Sequence, residues 1–222
     1  MKENVNTEIT EEYIRQEIEK ISKQVEENPL SKEECAAQFV EKSNELGLKH
    51  SFTFDEAWEM GLAIRNKIKF RNHITKLEED LRKHSDVLID KPLHEHNPLK
   101  HSFADGCYIR EIFNPAGELI VTKIHKQKHP FFLVKGKMSI LTENGVEHIE
   151  APYHGITTPG TKRVIYAHTD CIFICVFATK HTDINIIEKE IIAEDFNDPA
   201  VTKEDMDVLI GIIKDKNKFK NK

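Results

Sequence analysis

Residues 117–136 read GELIVTKIHKQKHPFFLVKG, and residues 155–168 read GITTPGTKRVIYAH. Both are short runs rich in Ile, Val, Phe and Thr, framed by glycine and Pro-Gly, a composition that predicts β-strands closed by turns. The same texture extends outward from them: YIREIF starts at Tyr108, MSILT at Met138, VEHI at Val146, RVIYAH at Arg163 and CIFICVFAT at Cys171. Turn clusters separate these runs at Asn114-Pro115-Ala116-Gly117, Lys135-Gly136, Glu143-Asn144-Gly145, Ala151-Pro152 and Pro159-Gly160. About eight short strands at near-regular spacing predict an antiparallel sandwich or barrel. Asn144-Gly145 is the strongest hairpin signal, because both residues tolerate positive φ. Val164, Tyr166 and His168 alternate with Arg163, Ile165 and Ala167. CIFICVF is apolar on both faces, so it reads as a central strand.

The chain outside this region has a different texture. Ile14, Ile18, Ile21 and Val25 recur at helical spacing, and Asn28-Pro29 ends that run. Ser31 with Glu34, and Thr53 with Glu56, have capping-box spacing and open two further helices. The second helix stops near Gly47. The third runs through Trp58, Leu62, Ile68, Ile74, Leu77 and Leu81. These three helices read either as a small bundle or, through Ile74, Leu77 and Leu81, as an intermolecular seam. KPLHEHNPLKH, from Lys91, reads as a linker in which His94, Glu95 and His96 are a solvated loop or, alternatively, metal ligands. After Lys180 the pattern thins until Thr202-Lys203-Glu204-Asp205 opens a last short helix through Met206 and Ile213, which docks on the rest. The expected organisation is therefore α+β. Residues 1–90 form a helical region, 91–103 a linker, 104–180 a small antiparallel barrel, and 181–222 an extension with a short C-terminal helix.

Composition narrows the function. The 222 residues carry a net charge of −6, which argues against a nucleic-acid-binding role for the chain as a whole. The end, Lys214–Lys222, holds five lysines and one acid and reads as a solvated terminus rather than a polyanion contact. No apolar run reaches membrane-spanning length and the first residues lack an apolar signal core. No membrane partner and no secretion are expected, leaving a cytoplasmic (host-cell) or virion location. Cys35, Cys107, Cys171 and Cys175 form no CxxC pair and read as buried free thiols in a reducing compartment.

The two quoted stretches resemble the two motifs of the cupin superfamily, whose fold is a double-stranded β-helix. The family pattern places two histidines and a glutamate in the first motif and a further histidine in the second. Counting back from Gly136, His129 takes the glutamate position, His125 the second histidine position and Lys123 the first. The last ligand position falls at or near Arg163. The resemblance thus implies a site inside the barrel made of Lys123, His125, His129, Arg163 and Tyr166. Three readings follow. A divalent metal (iron, zinc, manganese or nickel) could sit on His125 and His129, with His168 or Tyr166 as a third ligand, serving an isomerase or dioxygenase type of enzyme acting on a sugar or small acid. A carboxylate, phosphate or sugar acid could sit among the cations in a sensor module. Or these side chains satisfy one another and carboxylates such as Glu143, Glu147 and Glu150, and the barrel is structural. Two cations at ligand positions disfavour a bound cation, so no resident cofactor and no catalytic residue is expected. IHKQKHPFFLVKG with PGTKRVIYAH also resembles cupin-like proteins of tailed bacteriophages. That resemblance implies a non-enzymatic virion or accessory protein, a homodimer or higher oligomer, with other virion proteins as further partners.

Overall fold

The computed structural model describes residues 31–45, 52–83, 87–88, 91–143, 145–202 and 205. The helix expected over Ile14–Val25, the stop at Gly47, the Asn144 turn position, most of the helix after Thr202 and the basic end lie outside the described residues.

Two capping boxes set the first two helices. Helix α1 spans Lys32–Glu45. The Glu34 N–H donates to Ser31 Oγ (3.2 Å) and the Ser31 N–H to Glu34 Oε2 (2.8 Å). Helix α2 spans Phe54–Leu81, with the same reciprocal pair between Thr53 and Glu56. Each box satisfies two helix-end donors that would otherwise lack partners. Ala36 and Phe39 pack on Ala57 and Met60. Gly61 lets the helices approach closely, since a Cβ there would lie 2.4 Å from the Cys35 carbonyl oxygen.

The far half of α2 meets a β-sheet, where the stripe alone offers a helical bundle or an intermolecular seam. Phe70, Ile74, Leu77 and Leu81 pack on Leu141 and Val164 of a β-sheet, with Leu119, Val121 and Phe196 alongside. Helical periodicity shows that one face is apolar; it does not say whether a helix, a second chain or a sheet covers it.

The segment read as a linker is structured. Lys91–His96 is a short helix, α3, and Leu99–Ala104 is strand β1, at the edge of a sheet. Pro92 falls in the first turn of α3, where a missing N–H is tolerated. The sheets comprise β2 (Cys107–Asn114), β3 (Leu119–Val121), β4 (Ile124–His125), β5 (His129–Lys135), β6 (Lys137–Thr142), β7 (Gly145–Glu150), β8 (Tyr153–Thr157), β9 (Val164–Ala167) and β10 (Cys171–Ala178). One sheet has the order β1-β2-β10-β5-β8 and the other β3-β9-β6-β7. The chain crosses between sheets at β2–β3, from β3 through β4 to β5, and at β5–β6, β7–β8, β8–β9 and β9–β10. This is a two-sheet jelly roll wound as a double helix of strands, open at its edges rather than a closed barrel. β10 lies between β2 and β5, as its two-sided apolar pattern predicts. The β6–β7 hairpin turns between Thr142 and Gly145.

The core lies between the sheets and includes Tyr108, Phe131, Leu133, Met138, Ile140, Ile165, Phe173 and Phe177. The segment after Lys180, which reads as an extension, is part of this core. Helix α4 (Ile184–Ile191) begins at Asp183, whose carboxylate accepts from the Asn185 N–H, and inserts Ile187 and Ile191, both fully buried. Strand β11 (Ile192–Ala193) then pairs with β4. Eight residues give only two helical turns, too short a stretch for the periodicity to stand out. Further on, Asp205 accepts from Arg71 (2.7 Å) and pairs with Lys67 (2.7 Å), tying the start of the last segment to α2.

Candidate functional site

The interior between the sheets holds two polar groups of side chains. The first is built on β4 and β5. His125 and His129 both point inward, are almost fully buried, and have ring centroids 4.6 Å apart. Both rings lie against Phe177, at 5.9 and 4.2 Å. The Nδ1 of His129 lies 2.9 Å from the Gln127 carbonyl. A carbonyl only accepts, so Nδ1 carries the proton and Nε2 presents a lone pair. That Nε2, like Nδ1 of His125, is buried without a hydrogen-bond partner. Burial pushes the His129 imidazole down to about 4, with the charges of Arg110 and Arg163 adding to it against the Gln127 hydrogen bond. Burial, then His129, Arg110, Arg163 and Lys123, holds His125 well below its ordinary value. Both rings are neutral at pH 7.

Lys123 does not complete this pair. It precedes β4, where the chain has left the sheet, and its side chain is 58% exposed. Its Nζ donates to Glu188 Oε2 of α4 at 2.7 Å, and Arg110 pairs with the other carboxylate oxygen at 3.3 Å. Burial raises the Glu188 carboxyl, but the hydrogen bond and charge of Lys123 and the charge of Arg110 outweigh it and hold the group below its ordinary range. Glu188 therefore neutralises the cations at this end.

The second group centres on Arg163, which does face inward and is 8% exposed. Its Nη1 donates to Thr157 Oγ1 at 3.0 Å, and its guanidinium lies 4.8 Å from the centre of the Phe131 ring. Gly155 makes room for that ring, since a Cβ there would meet it at 2.6 Å. Burial lowers the Arg163 pKa, with Cys175, Glu147, Tyr153 and Glu143 opposing, yet a guanidinium keeps its proton. Among the described residues no carboxylate forms an ion pair with it. Its neighbour Lys162, by contrast, pairs with Glu78 of α2. Arg163 lines a cavity of about 360 Å³ whose apolar wall includes Phe131, Ile140 and Tyr153. Glu143 and Glu147 stand at the same cavity; Glu147 accepts from the Tyr153 hydroxyl at 2.5 Å, and Glu143 lies 3.5 Å from Lys67.

Tyr166 is not an interior residue. Strand alternation sends Arg163, Ile165 and Ala167 inward and Val164 and Tyr166 to the outer face, where Tyr166 meets His168 edge-on at 5.0 Å. His96 of the former linker pairs with Glu118 at 2.5 Å. The residues the sequence reading missed are Arg110, Phe177 and Glu188. Arg110 was findable, because it shares the inward face of Tyr108 by period two; nothing in INIIEKEI marks Glu188.

The crossing pattern of the two sheets decides the fold. The chain has a cupin fold. No family model matches the sequence and no curated protein matches it. Solved structures with similar folds include ectoine synthase from P. lautus (14% identity, TM-score 0.37, covering 55% of this chain and 91% of that one). Others are acetylacetone dioxygenase from Acinetobacter johnsonii (19%, 0.32, 43% and 76%) and a cupin-2 domain protein from Shewanella frigidimarina (7%, 0.32, 46% and 92%). Likenesses this distant carry no activity across. The metal implied by the cupin motifs does not fit the side chains present. His125 and His129 offer two nitrogens, but among the described residues no three His, Cys, Asp or Glu side chains come together. The Glu188 carboxylate at this end is engaged by two cations. No described helix is long and apolar enough to cross a membrane.

Proposed function

We propose that the protein is a non-enzymatic cupin module that binds a small organic anion in the Arg163 cavity. The observation that carries this reading is a buried guanidinium with no ion-pair partner at the wall of an open cavity. A buried charge with no direct ion-pair partner is costly, and a bound carboxylate or phosphate monoester would both pair with it and accept its free donors. The aromatic and aliphatic wall suits a ligand with an apolar body. Glu143 and Glu147 at the same cavity disfavour a polyanion. Thermal shift and calorimetry against a panel of small monocarboxylates and monophosphates test this. The expected result is a ligand-dependent rise in Tm that is lost in Arg163→Met. A flat response across the panel, or an equal response in the variant, defeats the reading.

The phage-type motifs support placing this module in a virion or among phage accessory proteins, self-associated and in contact with other virion proteins; mass spectrometry of purified particles would find the chain there. One observation favours a different reading, a metal-dependent enzyme: the two unpartnered imidazole nitrogens. Stoichiometric iron, zinc, manganese or nickel in the untagged protein, lost in the His125→Ala, His129→Ala double variant, would establish that reading instead.

A further inference from the structure

The Arg163 cavity has a second pole. Glu147 lies on β7, where strand alternation puts it on the inner face with the buried Ile149. In the ladder it stands opposite Ile140 of the cavity wall. Its Oε1 accepts from the Tyr153 hydroxyl at 2.5 Å. Tyr153 belongs to the other sheet, so this hydrogen bond spans the gap between the sheets and holds the carboxylate at the cavity. The remaining charges there are answered, Lys162 by Glu78 and Glu143 by Lys67 at 3.5 Å. Arg163 and Glu147 are the two charges of the cavity that form no ion pair among the described residues.

The fold keeps these two charges apart. The guanidinium is bound at Thr157 and the carboxylate at Tyr153, and both anchors lie on β8. Four residues at about 3.3 Å each separate those anchors by roughly 13 Å along the strand. The other sheet agrees. Ile140 pairs with Glu147 on one side and with Ile165 on the other, and Arg163 precedes Ile165 by two residues, so the two charges stand two strands apart and one inward position out of step. Glu147 acts on Arg163 only as a charge at a distance, with no hydrogen bond between them. Direct neutralisation, the competing use of Glu147, is thereby excluded. The guanidinium is buried and the carboxylate is exposed at the mouth.

We infer that the ligand of this cavity is a small zwitterion that carries its ammonium group at the end remote from its carboxylate or phosphate. This rests on the anion reading above and adds the second charge. The anionic end pairs with Arg163 inside the cavity. The ammonium pairs with Glu147 at the mouth, where it keeps part of its hydration and avoids the full penalty of burying a charge. The methylene chain between them lies on Ile140 and on Phe131 and Tyr153, whose ring centroids are 6.1 Å apart. A ligand without net charge also escapes the repulsion that Glu143 and Glu147 exert on a simple anion.

Calorimetry of the full chain with matched pairs of ligands tests this: valerate against δ-aminovalerate, caproate against ε-aminocaproate, and propyl phosphate against aminopropyl phosphate. In at least one pair the ammonium-bearing member should bind roughly three- to tenfold more tightly. That preference should vanish in Glu147→Gln, which keeps an acceptor for the Tyr153 hydroxyl and still binds both members. It should persist in Glu143→Gln, and Arg163→Met should lose both members. Equal or weaker binding of the amine in every pair would overturn the zwitterion and leave the anion reading standing. A preference that survives in Glu147→Gln, or that disappears in Glu143→Gln instead, would overturn the assignment to Glu147. Failure of every ligand to bind the wild type would remove both readings.

Discussion

Arg163 and the two interior histidines react differently to burial. A guanidinium stays charged and must find a counter-charge, whereas an imidazole sheds its proton. For His125 and His129 this has a consequence in pH. Unfolded, each would titrate near its ordinary value of 6.5; folded, His129 titrates at about 4 and His125 is also held low. As pH falls from about 6.5 toward 4, the unfolded chain takes up protons that the folded one does not, so stability falls across that window and is fully present above it. For His129 the difference amounts to roughly 3 kcal/mol at most. Urea midpoints at pH 7 and pH 5 should differ in the wild type. They should differ less in His129→Gln, where carboxylate titrations are unchanged and only the imidazole is gone. An equal pH dependence in the two proteins would contradict the assignment of a neutral, desolvated ring.

At the scale of elements, α2 joins the helical region to the jelly roll. Its N-terminal half packs on α1 and its C-terminal half on the four-stranded sheet. Leu77 is 7% exposed and lies in the second of these contacts. Leu77→Ala should cost about 2–5 kcal/mol by chemical denaturation. The same substitution at the exposed Ile68 should cost far less. Comparable losses at both positions would show that α2 does not use this face. The elements also show how far the sequence could be read. The capping boxes at Ser31 and Thr53, the central position of CIFICVF and the β6–β7 hairpin were all legible, because each rests on local chemistry. The partner of the Ile74–Leu77–Leu81 stripe and the role of INIIEKEI were not, because both depend on what the chain meets after folding. The site divides in the same way. Motif spacing sent His125, His129 and Arg163 inward, whereas Lys123 was lost where the chain leaves the sheet and Tyr166 was assigned against its own alternation.

For the whole molecule, the five-stranded sheet keeps apolar side chains outside. Phe132, Val134 and Ile156 are 37%, 50% and 53% exposed on neighbouring strands β5 and β8. No described helix packs on them, in contrast with the other sheet, part of which α2 covers. If the proposed self-association uses this surface, light scattering should report a dimer or larger assembly. A Val134→Glu, Ile156→Glu variant should then run as a monomer with its fold intact. A wild-type monomer at high concentration would remove the proposal.

The insertion of α4 also bears on how the protein is made. Ile187 and Ile191 fill the space between sheets whose other walls were synthesised as much as eighty residues earlier, and β11 pairs with β4 across a similar distance. Contacts so far apart in sequence close slowly. On a ribosome, both sheets must emerge and wait with their inner aromatic side chains open to water until residue 193 has cleared the exit tunnel. The nascent chain is therefore most exposed to aggregation in the interval before α4 emerges, and a chain stopped short of Ile184 would remain in that state.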